Sequence, residues 1–423
     1  MESNRSLTVS DLTHCMEMIA PLNTFSAPDD TSDFAPVVRF LVMSDSHIKT
    51  FADVGCSRIQ KAISLGYSDA RSDSVYKSLD AVMFCGDITD TGDESQYIAF
   101  KSIIDSALKD ETELLAILAR NHDCWGTMGR GALSYFSSLT GLDTDWHYVI
   151  NGYHFIGISV SPDSNYRYYD PKQISWVKEQ LDKAVADDPE KPIFVTHHEH
   201  VSGTVYGSGD NEWGVGDLKS VFEEYPQIIH FSGHSHYPIN DPRSIWQGSF
   251  TAVGTGAIKY MEFTVDGKKS VHPDHYEKTG QAWIVEVSAQ NEVRLRGYDV
   301  YSEALLCEYV IQEPANAAIR QYSPEKQKAA SSAPAFPDPG SRRYITVPAA
   351  ESVDGNIIFL YRAIVFDENG NEIDHVYKVN NYWSYPTYDS VTLAVNAPRG
   401  CIVKVFAENA YGMRSEPLTY KAE

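Results

Sequence analysis

VVRFLVMSDSH (residues 37–47) joins an unbroken apolar run to a polar end that carries Asp45 and His47. A short run that is apolar on both faces is typical of a strand buried inside a sheet. Four further runs lead into a metal-binding type of residue in the same way: AVMFC (81–85) before Asp87, ELLAILA (113–119) before Asn121, PIFVT (192–196) before His197, and QIIHFS (227–232) before His234 and His236. Because open α/β sheets bind ligands at the carboxyl ends of their strands, we expect these side chains to meet at one edge.

Helical stretches separate the apolar runs. The clearest begins at Asp170, which can cap the helix, with Pro171 at its first position and apolar residues spaced near 3.6 in the following ISWVKEQLDKAV. Alternating strands and helices predict a layered α/β domain. From Phe250 to about Ile311 the pattern changes to strands, and we expect this material to complete the second sheet of the same domain.

Composition divides the chain into four parts. Residues 1–35 form a polar lead-in, 36–312 the α/β domain, 313–341 a linker rich in Pro, Ala and Ser, and 342–423 an all-β module. Within the module, Asn369-Gly370 predicts a tight hairpin between two strands. A chain of 423 residues is long enough for two domains.

The charge balance limits the partners. The sequence has 35 Lys and Arg against 58 Asp and Glu, a net charge of −23, which disfavours nucleic acid and anionic membranes as partners. No stretch is long and apolar enough for membrane insertion. The first residues lack a basic segment followed by an apolar run, which indicates a cytoplasmic protein; if a leader precedes this sequence, the protein is extracytoplasmic.

Each strand-end motif has an ordinary alternative when taken alone. An aspartate after a strand is a common turn residue, and a histidine pair can be one packed ring and one exposed ring. Gly233-His234-Ser235-His236 is more specific, since two histidines two residues apart after a bend can serve one metal cluster. Coincidence explains the complete series poorly.

The series DSH (45–47), GDITD (86–90), NHD (121–123), HH (197–198) and GHSH (233–236) resembles the calcineurin-like metallophosphoesterase superfamily over about residues 37–310. The GDITD motif lacks the Arg-Gly that follows it in the serine/threonine phosphatases, so the sequence is more similar to the class III phosphodiesterase branch. The resemblance implies a four-layer α-β-β-α metallophosphoesterase sandwich, here followed by a small all-β immunoglobulin-like sandwich.

The resemblance also implies roles for individual residues. Asp45, His47 and His236 would hold one metal, and Asn121, His197 and His234 a second, with the Asp87 carboxylate bridging the two. His122 would face the substrate phosphate and Asp90 would orient it. A mixed N/O ligand set suits transition metals, of which we expect two divalent or trivalent ions, Mn, Fe or Zn. Two such ions can activate water and clamp the oxygens of an in-line displacement.

Two positions depart from the family pattern. Arg120 replaces the glycine that precedes Asn-His, either in an ordinary backbone conformation or with its guanidinium directed at a phosphate oxygen. Glu199 stands where the phosphodiesterase-like branch commonly has proline, which puts the role of His198 in question. Aromatic residues cluster in the rim loops, and loop packing is favoured over a stacking wall for a ring: Trp125, Tyr166, Tyr168, Tyr169, Tyr206, Trp213 and Tyr237.

The module's CIVKVFAENAYGMRSEPL (401–418) resembles a fibronectin type III domain, which implies spacing or docking to a partner. We therefore expect an enzyme that hydrolyses small-molecule phosphoesters, with diesters slightly preferred over monoesters. Two alternatives stay open: a binding or adhesion protein that uses the module and keeps the phosphoesterase domain as a scaffold, and a nuclease of the same superfamily.

Overall fold

A computed structural model describes residues 34–209, 213–336 and 345–422. The predicted lead-in, residues 1–35, falls almost entirely outside these ranges, as does part of the predicted linker. Elements are numbered in chain order below. None of the described helices is long and apolar enough to cross a membrane.

Two six-stranded sheets form the centre of the α/β domain. The first sheet has the order β16-β15-β14-β1-β2-β3, with strands β1 (Pro36–Met43), β2 (Ala81–Cys85), β3 (Glu113–Ile117), β14 (Gln281–Ser288), β15 (Val293–Asp299) and β16 (Ala304–Ile311). The second has the order β10-β11-β9-β6-β5-β4, with β4 (Asp145–Ile150), β5 (Tyr153–Ile158), β6 (Ile193–Thr196), β9 (Ile228–Ser232), β10 (Ile245–Gln247) and β11 (Thr251–Gly254). The prediction of a mixed α/β fold with two central sheets is confirmed.

Three apolar layers separate these elements. Phe40, Phe155, Phe194 and Phe231 interdigitate between the two sheets, with ring centroids 4.8–6.2 Å from Phe40. The helices pack on the outer faces: α1 (Val54–Ser72), α2 (Glu94–Ala107) and α3 (Gly131–Thr140) on the first sheet, and α4 (Pro171–Asp187) and α5 (Lys219–Phe222) on the second. Helix α4 starts as predicted, because Asp170 accepts hydrogen bonds from the backbone N–H groups of Lys172 and Gln173.

The strands after Phe250 are divided between the sheets. Strand β11 lies in the second sheet, between β9 and β10, whereas β14 pairs antiparallel with β1 and carries β15 and β16 onto the first sheet. The expectation that all of this material completes the second sheet is therefore wrong. Between β11 and β14 lies a hairpin of β12 (Phe263–Val265) and β13 (Lys268–Val271), and two short strands, β7 (His200–Val201) and β8 (Gly214–Val215), pair in the loop after β6.

The described part of the linker is held on the α/β domain. Arg320 is 6% exposed, and its guanidinium donates to the backbone carbonyls of Pro226, Gly248, Ser249 and Pro314. A short helix, α6 (Pro324–Ala329), follows it. A composition rich in Pro, Ala and Ser therefore does not produce a free tether here.

The C-terminal module is all-β. It contains a four-stranded sheet of order β19-β18-β21-β22 and a pair β17-β20, with β17 (Ile345–Pro348), β18 (Ile358–Phe366), β19 (Glu372–Val379), β20 (Ser390–Leu393), β21 (Ile402–Asn409) and β22 (Leu418–Lys421). Strands β18 and β19 form the predicted hairpin, although the loop after Phe366 is longer than two residues. The immunoglobulin-like and fibronectin type III assignments stay predictions.

Candidate metal centre

Parallel strands in both sheets deliver polar residues to one edge. Asp45 and His47 follow β1, Asp87 follows β2, and Asn121 follows β3 in the first sheet. In the second sheet, the histidine pair 197–198 follows β6, and His234 and His236 follow β9. Because the two sheets are stacked, their carboxyl ends converge, and most of these side chains come within a few ångströms of one another.

The backbone at this edge is unusual. Five non-glycine residues lie in the left-handed region, with φ of 54° at Asp45, 41° at His47, 48° at Asp87, 72° at His234 and 58° at His236. Such a conformation costs of order 1–3 kcal/mol at each non-glycine residue and persists only where its surroundings enforce it. The clustering of five such residues at one edge makes this edge a candidate functional site.

Two glycines make the close approach possible. A Cβ on Gly233 would lie 2.2 Å from Asp45 Oδ2, and one on Gly86 would lie 2.7 Å from the ring of His198, where Gly86 also has φ of 90°. No larger residue fits either position without moving a proposed ligand. Both glycines belong to the motifs GDITD and GHSH.

The first group of candidate ligands is Asp45, His47 and His236, whose ligand atoms lie within 4.8 Å of one another. The two Nε2 atoms of His47 and His236 are 3.0 Å apart, and His236 Nε2 is 3.2 Å from Asp45 Oδ1. The Nδ1 atom of His236 faces the backbone carbonyl of Tyr260 at 3.2 Å. A proton on Nδ1 would leave Nε2 free as a ligand.

The second group is Asp87, His198 and His234, also within 4.8 Å of one another. His198 Nε2 lies 3.1 Å from Asp87 Oδ2 and 3.2 Å from His234 Nδ1. The amide nitrogen of Asn121 is 2.9 Å from Asp87 Oδ2 and 3.4 Å from His234 Nδ1, so a half-turn of this amide would direct its oxygen to the same point.

His197, predicted as a ligand, lies outside both groups. Its ring packs on the outer face of the second sheet against Tyr169, Phe222 and His230, with ring centroids 5.4, 5.8 and 4.3 Å away. Neither ring nitrogen has a hydrogen-bond partner among the described residues. Burial lowers the pKa of His197 to about 3, so its ring is neutral.

Strand alternation explains why its neighbour takes this place. Phe194 points into the core between the sheets, and Val195 points to the outer helices. If side chains continue to alternate past the end of β6, His198 points inward like Phe194, and His197 points outward like Val195. His198 is 1% exposed, and its Nδ1 lies 2.8 Å from the backbone carbonyl of Cys85, which leaves Nε2 facing Asp87. The period of two was present in the sequence and could have identified His198.

The proposed non-ligand pair is also adjacent to the first group. The ring of His122 lies 4.3 Å from that of His47, edge to face, and its Nδ1 is 2.7 Å from a carbonyl oxygen, which belongs to the Asp90 backbone. The Asp90 carboxylate instead lies 3.6 Å from Lys49 Nζ. The direct contact of Asp90 with His122 is thus through its main chain, while its carboxylate also lies within 4.8 Å of a ring nitrogen of His47 and one of His122. The role of Asp90 in orienting the pair stays a prediction.

The charges in the centre suit a cation. Burial pushes the pKa of both carboxyls upward, but nearby histidines, His198 among them, hold the pKa of Asp45 well below its ordinary value and that of Asp87 at about 2. Burial lowers the pKa of His234 to about 3, and it also lowers that of His47. Burial opposes protonation of His198 and His236 as well, but the charges of Asp87 and Asp45 raise the pKa of His198 well above its ordinary value, and that of Asp45 raises the pKa of His236. Because a histidine ligand must be neutral, metal binding would displace the protons from these two rings.

Asp123 holds two of the ligand loops together, a role that the sequence did not reveal. Its buried carboxylate accepts hydrogen bonds from the backbone N–H groups of Thr89 and Ala119 and from the Thr89 hydroxyl, at 2.8–3.0 Å. Burial, followed by the charge of Asp87, raises the pKa of Asp123 to about 6. The Asp123 carboxylate therefore helps to set the spacing of the loops after β2 and β3, together with the Asn121–Asp87 and His122–Asp90 contacts.

The departures from the family pattern have local explanations. Arg120 is exposed and is not among the residues with positive φ, so no glycine is needed there. Glu199 is 3% exposed and accepts a hydrogen bond from the Tyr169 hydroxyl at 3.1 Å. Of the predicted rim aromatics, Tyr169 and Tyr237 are buried packing residues, whereas Trp125 is 59% exposed.

These residues fit a pair of metal ions. Asp87 Oδ1 and Asn121 Oδ1 are buried with no hydrogen-bond partner among the described residues. In both groups, imidazole nitrogens face a carboxylate oxygen or each other at about 3 Å. A metal ion would satisfy these atoms, since buried oxygens without partners are costly.

Residues 38–238 match the family model for calcineurin-like phosphoesterase. The chain therefore contains a calcineurin-like phosphoesterase domain, and the prediction of a phosphoric ester hydrolase is confirmed at the level of this domain.

Among solved structures, the chain is similar to a purple acid phosphatase from yellow lupin, at 13% identity over 65% of this chain and 53% of that one, TM-score 0.45. It is also similar to a protein from Staphylococcus aureus assigned as a 5′-nucleotidase, at 12% identity over 69% and 57%, TM-score 0.39. The chain thus spans little more than half the length of either. Likenesses of this size say nothing about its substrate. No curated protein matches the sequence.

Proposed function

We propose that the chain hydrolyses phosphoric esters at a two-metal centre. Asp45, His47 and His236 would hold one ion. Asn121, His198 and His234 would hold the other, with Asp87 between them. The observation that carries the proposal is the pair of ligand groups, each within 4.8 Å, formed by residues from both sheets.

The bound metals would supply Lewis acidity, which lowers the pKa of water and offsets phosphate charge. The chain's own residues would orient the ester. His122 is half-buried and, with Nδ1 directed at the Asp90 carbonyl, keeps Nε2 available to give a proton to the leaving oxygen. No serine or cysteine nucleophile is required.

Within this class, we propose diesters over monoesters. A diester carries one negative charge and a monoester up to two, and the chain has a net charge of −23. The more highly charged substrate would be repelled more strongly on approach. The same charge disfavours a nuclease.

The test is metal analysis together with turnover of aryl phosphate mono- and diesters after Mn, Fe or Zn loading. We expect close to two ions per chain and faster diester cleavage. Asp87→Asn should lower turnover at least about 100-fold, because replacing a direct ligand should cost more than replacing a residue that only supports a ligand. The fold should stay intact, because asparagine tolerates a left-handed backbone. Less than one bound ion and no turnover would contradict the proposal.

A further inference from the structure

Trp125 differs from the other tryptophans of this chain. All seven lie in the described ranges, and three of them, Trp146, Trp283 and Trp383, are at most 3% exposed. Trp125 is 59% exposed. A single exposed apolar side chain is ordinary on a protein surface, so exposure alone does not indicate a function, and the position of the residue must be considered.

The position of Trp125 is next to the proposed proton donor. Its ring centroid lies 4.2 Å from that of His122, with the planes tilted by 41°. Among the described residues, His122 is the only aromatic ring recorded in contact with it. One side of the indole therefore covers His122, and the remainder faces solvent at the mouth of the centre.

The backbone that carries Trp125 is held from both sides. The Asp123 carbonyl accepts a hydrogen bond from the Tyr97 hydroxyl at 2.7 Å, and Cys124 N donates to Asn121 O at 2.9 Å. On the other side, Gly126 approaches the next loop so closely that a Cβ would lie 2.5 Å from Thr91 O. The ring is thus presented on a fixed support.

Two other aromatic rings line the mouth of the centre, but both are packed against neighbouring side chains. Trp213 lies 5.1 Å from His234 with Lys269 Nζ 4.3 Å above its ring, and Tyr260 lies 4.3 Å from His236 and 5.8 Å from Tyr276. These rings act as walls. Trp125 alone among the three presents an indole surface that is mostly open.

We propose that Trp125 forms a stacking subsite for a planar ring in the leaving group of the phosphoester. This inference rests on the proposed function. A leaving oxygen within hydrogen-bond reach of His122 places a ring attached to it beside the indole. Hydrolysis adds water across the P–O bond, and the proton from His122 goes to the departing oxygen, so the released alcohol or phenol carries the ring. Stacking on an aromatic side chain tolerates any planar ring, aryl or nucleobase.

The first test compares substrates in the metal-loaded protein. Trp125→Ala should lower the ratio of kcat/KM for bis(p-nitrophenyl) phosphate over a glycerophosphodiester about tenfold, which corresponds to about 1.4 kcal/mol. Trp125→Phe should recover most of this ratio. A uridine 3′-phosphodiester in the same assay separates nucleoside from aryl substrates. Tyr301→Ala, at a residue 55% exposed and away from the proposed ligands, is the matched control and should leave the ratio unchanged.

The second test needs no turnover. Phenylphosphonate should bind more tightly than methylphosphonate by calorimetry, and Trp125→Ala should remove the difference. If both phosphonates bind equally well to the natural chain, or if the substrate ratio of Trp125→Ala matches that of the natural chain, the stacking subsite is wrong. If neither phosphonate binds and no ester is cleaved, the proposed function itself fails.

Discussion

At the residue scale, two adjacent histidines differ in position: His198 lies in the candidate site, and His197 packs outside it. His198 faces Asp87 and His234 across about 3 Å, whereas His197 lies among aromatic rings on the opposite face of the same sheet. Both are buried to the same degree, so burial does not distinguish them. Their orientations do, because consecutive residues of an extended chain point in opposite directions.

This difference predicts opposite outcomes for two variants. His198→Ala should bind about one ion fewer and lose turnover at least about 100-fold, since a direct ligand matters more than its surroundings. His197→Leu should keep both ions, because it removes two buried nitrogens without partners and fills the space with apolar atoms. Metal content measured by mass spectrometry, with thermal unfolding, distinguishes the two. Loss of an ion from His197→Leu together with a normal ion content in His198→Ala would reverse the assignment.

Most residues that the sequence predicted to come together do so, because motif residues at strand ends need only the strand order to bring them together. Asp45, His47, Asp87, Asn121, His234 and His236 lie in one cluster as expected. His197 lies outside this cluster, because a motif fixes a position to within one residue, and one residue reverses the direction of a side chain. The choice of His198 in its place as a ligand is our proposal. The sequence also missed Tyr260, which lies in a loop with no motif.

At the element scale, the loops after the strands place the strictest requirements on backbone conformation and on residue size. Three of the five ligand loops, those after β1, β2 and β9, leave their strands through left-handed residues, and the loops contact one another so closely that glycine is required at two positions. The strands were predictable from apolar runs, whereas the division of β10, β11 and β14–β16 between two sheets was not. Pairing partners far apart in the chain are set by three-dimensional packing and leave no local signal.

Glycine substitutions test this description of the loops. Gly233→Ala would place a Cβ 2.2 Å from Asp45 Oδ2 and 2.5 Å from Ser44 Oγ, so Asp45 must move. We expect metal affinity to fall at least about tenfold. Gly131→Ala is the matched control: a Cβ there meets nothing within 4 Å, and alanine favours the start of helix α3. Equal metal affinity in both variants, by titration with a chelating indicator, would show that the contact is not limiting.

At the scale of the whole molecule, the module and the α/β domain share a hydrophobic cluster. Phe263 and Met261 from the segment around β12 pack with Phe359, Tyr382 and Trp383 of the module. Polar contacts surround the cluster. Arg362 forms a two-bond pair with Asp266 at 2.7 and 2.8 Å, and Asn240 Nδ2 donates to the Tyr382 carbonyl at 2.7 Å.

Because the module and the α/β domain share this cluster, removal of the module should affect the stability and metal binding of the α/β domain. Asn240 is four residues after His236, and the next residue, Asp241, accepts a hydrogen bond from the Tyr382 hydroxyl at 3.0 Å. A chain ending at Ile311 would uncover the cluster, at about 1.5–3 kcal/mol for each large apolar side chain, and would free the loop after His236. We therefore expect a lower melting temperature and weaker metal binding than in the full chain.

Calorimetry and metal titration of both chains check this expectation. The full chain should unfold in one transition, because a shared core couples its two parts. Arg362→Met in the full chain provides a milder test that removes the pairs with Asp266 and Glu408 and the contact of the guanidinium with the Tyr377 ring. Unchanged melting and unchanged metal affinity after truncation would instead make the module an independent unit joined to the enzyme.

The left-handed backbone at the ligand positions also limits how this protein can change over evolutionary time. At Asp45, His47, Asp87, His234 and His236, a replacement must satisfy the backbone even if the metal is no longer needed. Glycine and asparagine adopt this conformation most readily, and β-branched residues adopt it worst. A descendant that has lost catalysis but kept the fold should therefore carry glycine or asparagine at these positions in preference to alanine or valine. The former metal centre would remain recognisable by its backbone after its chemistry had gone.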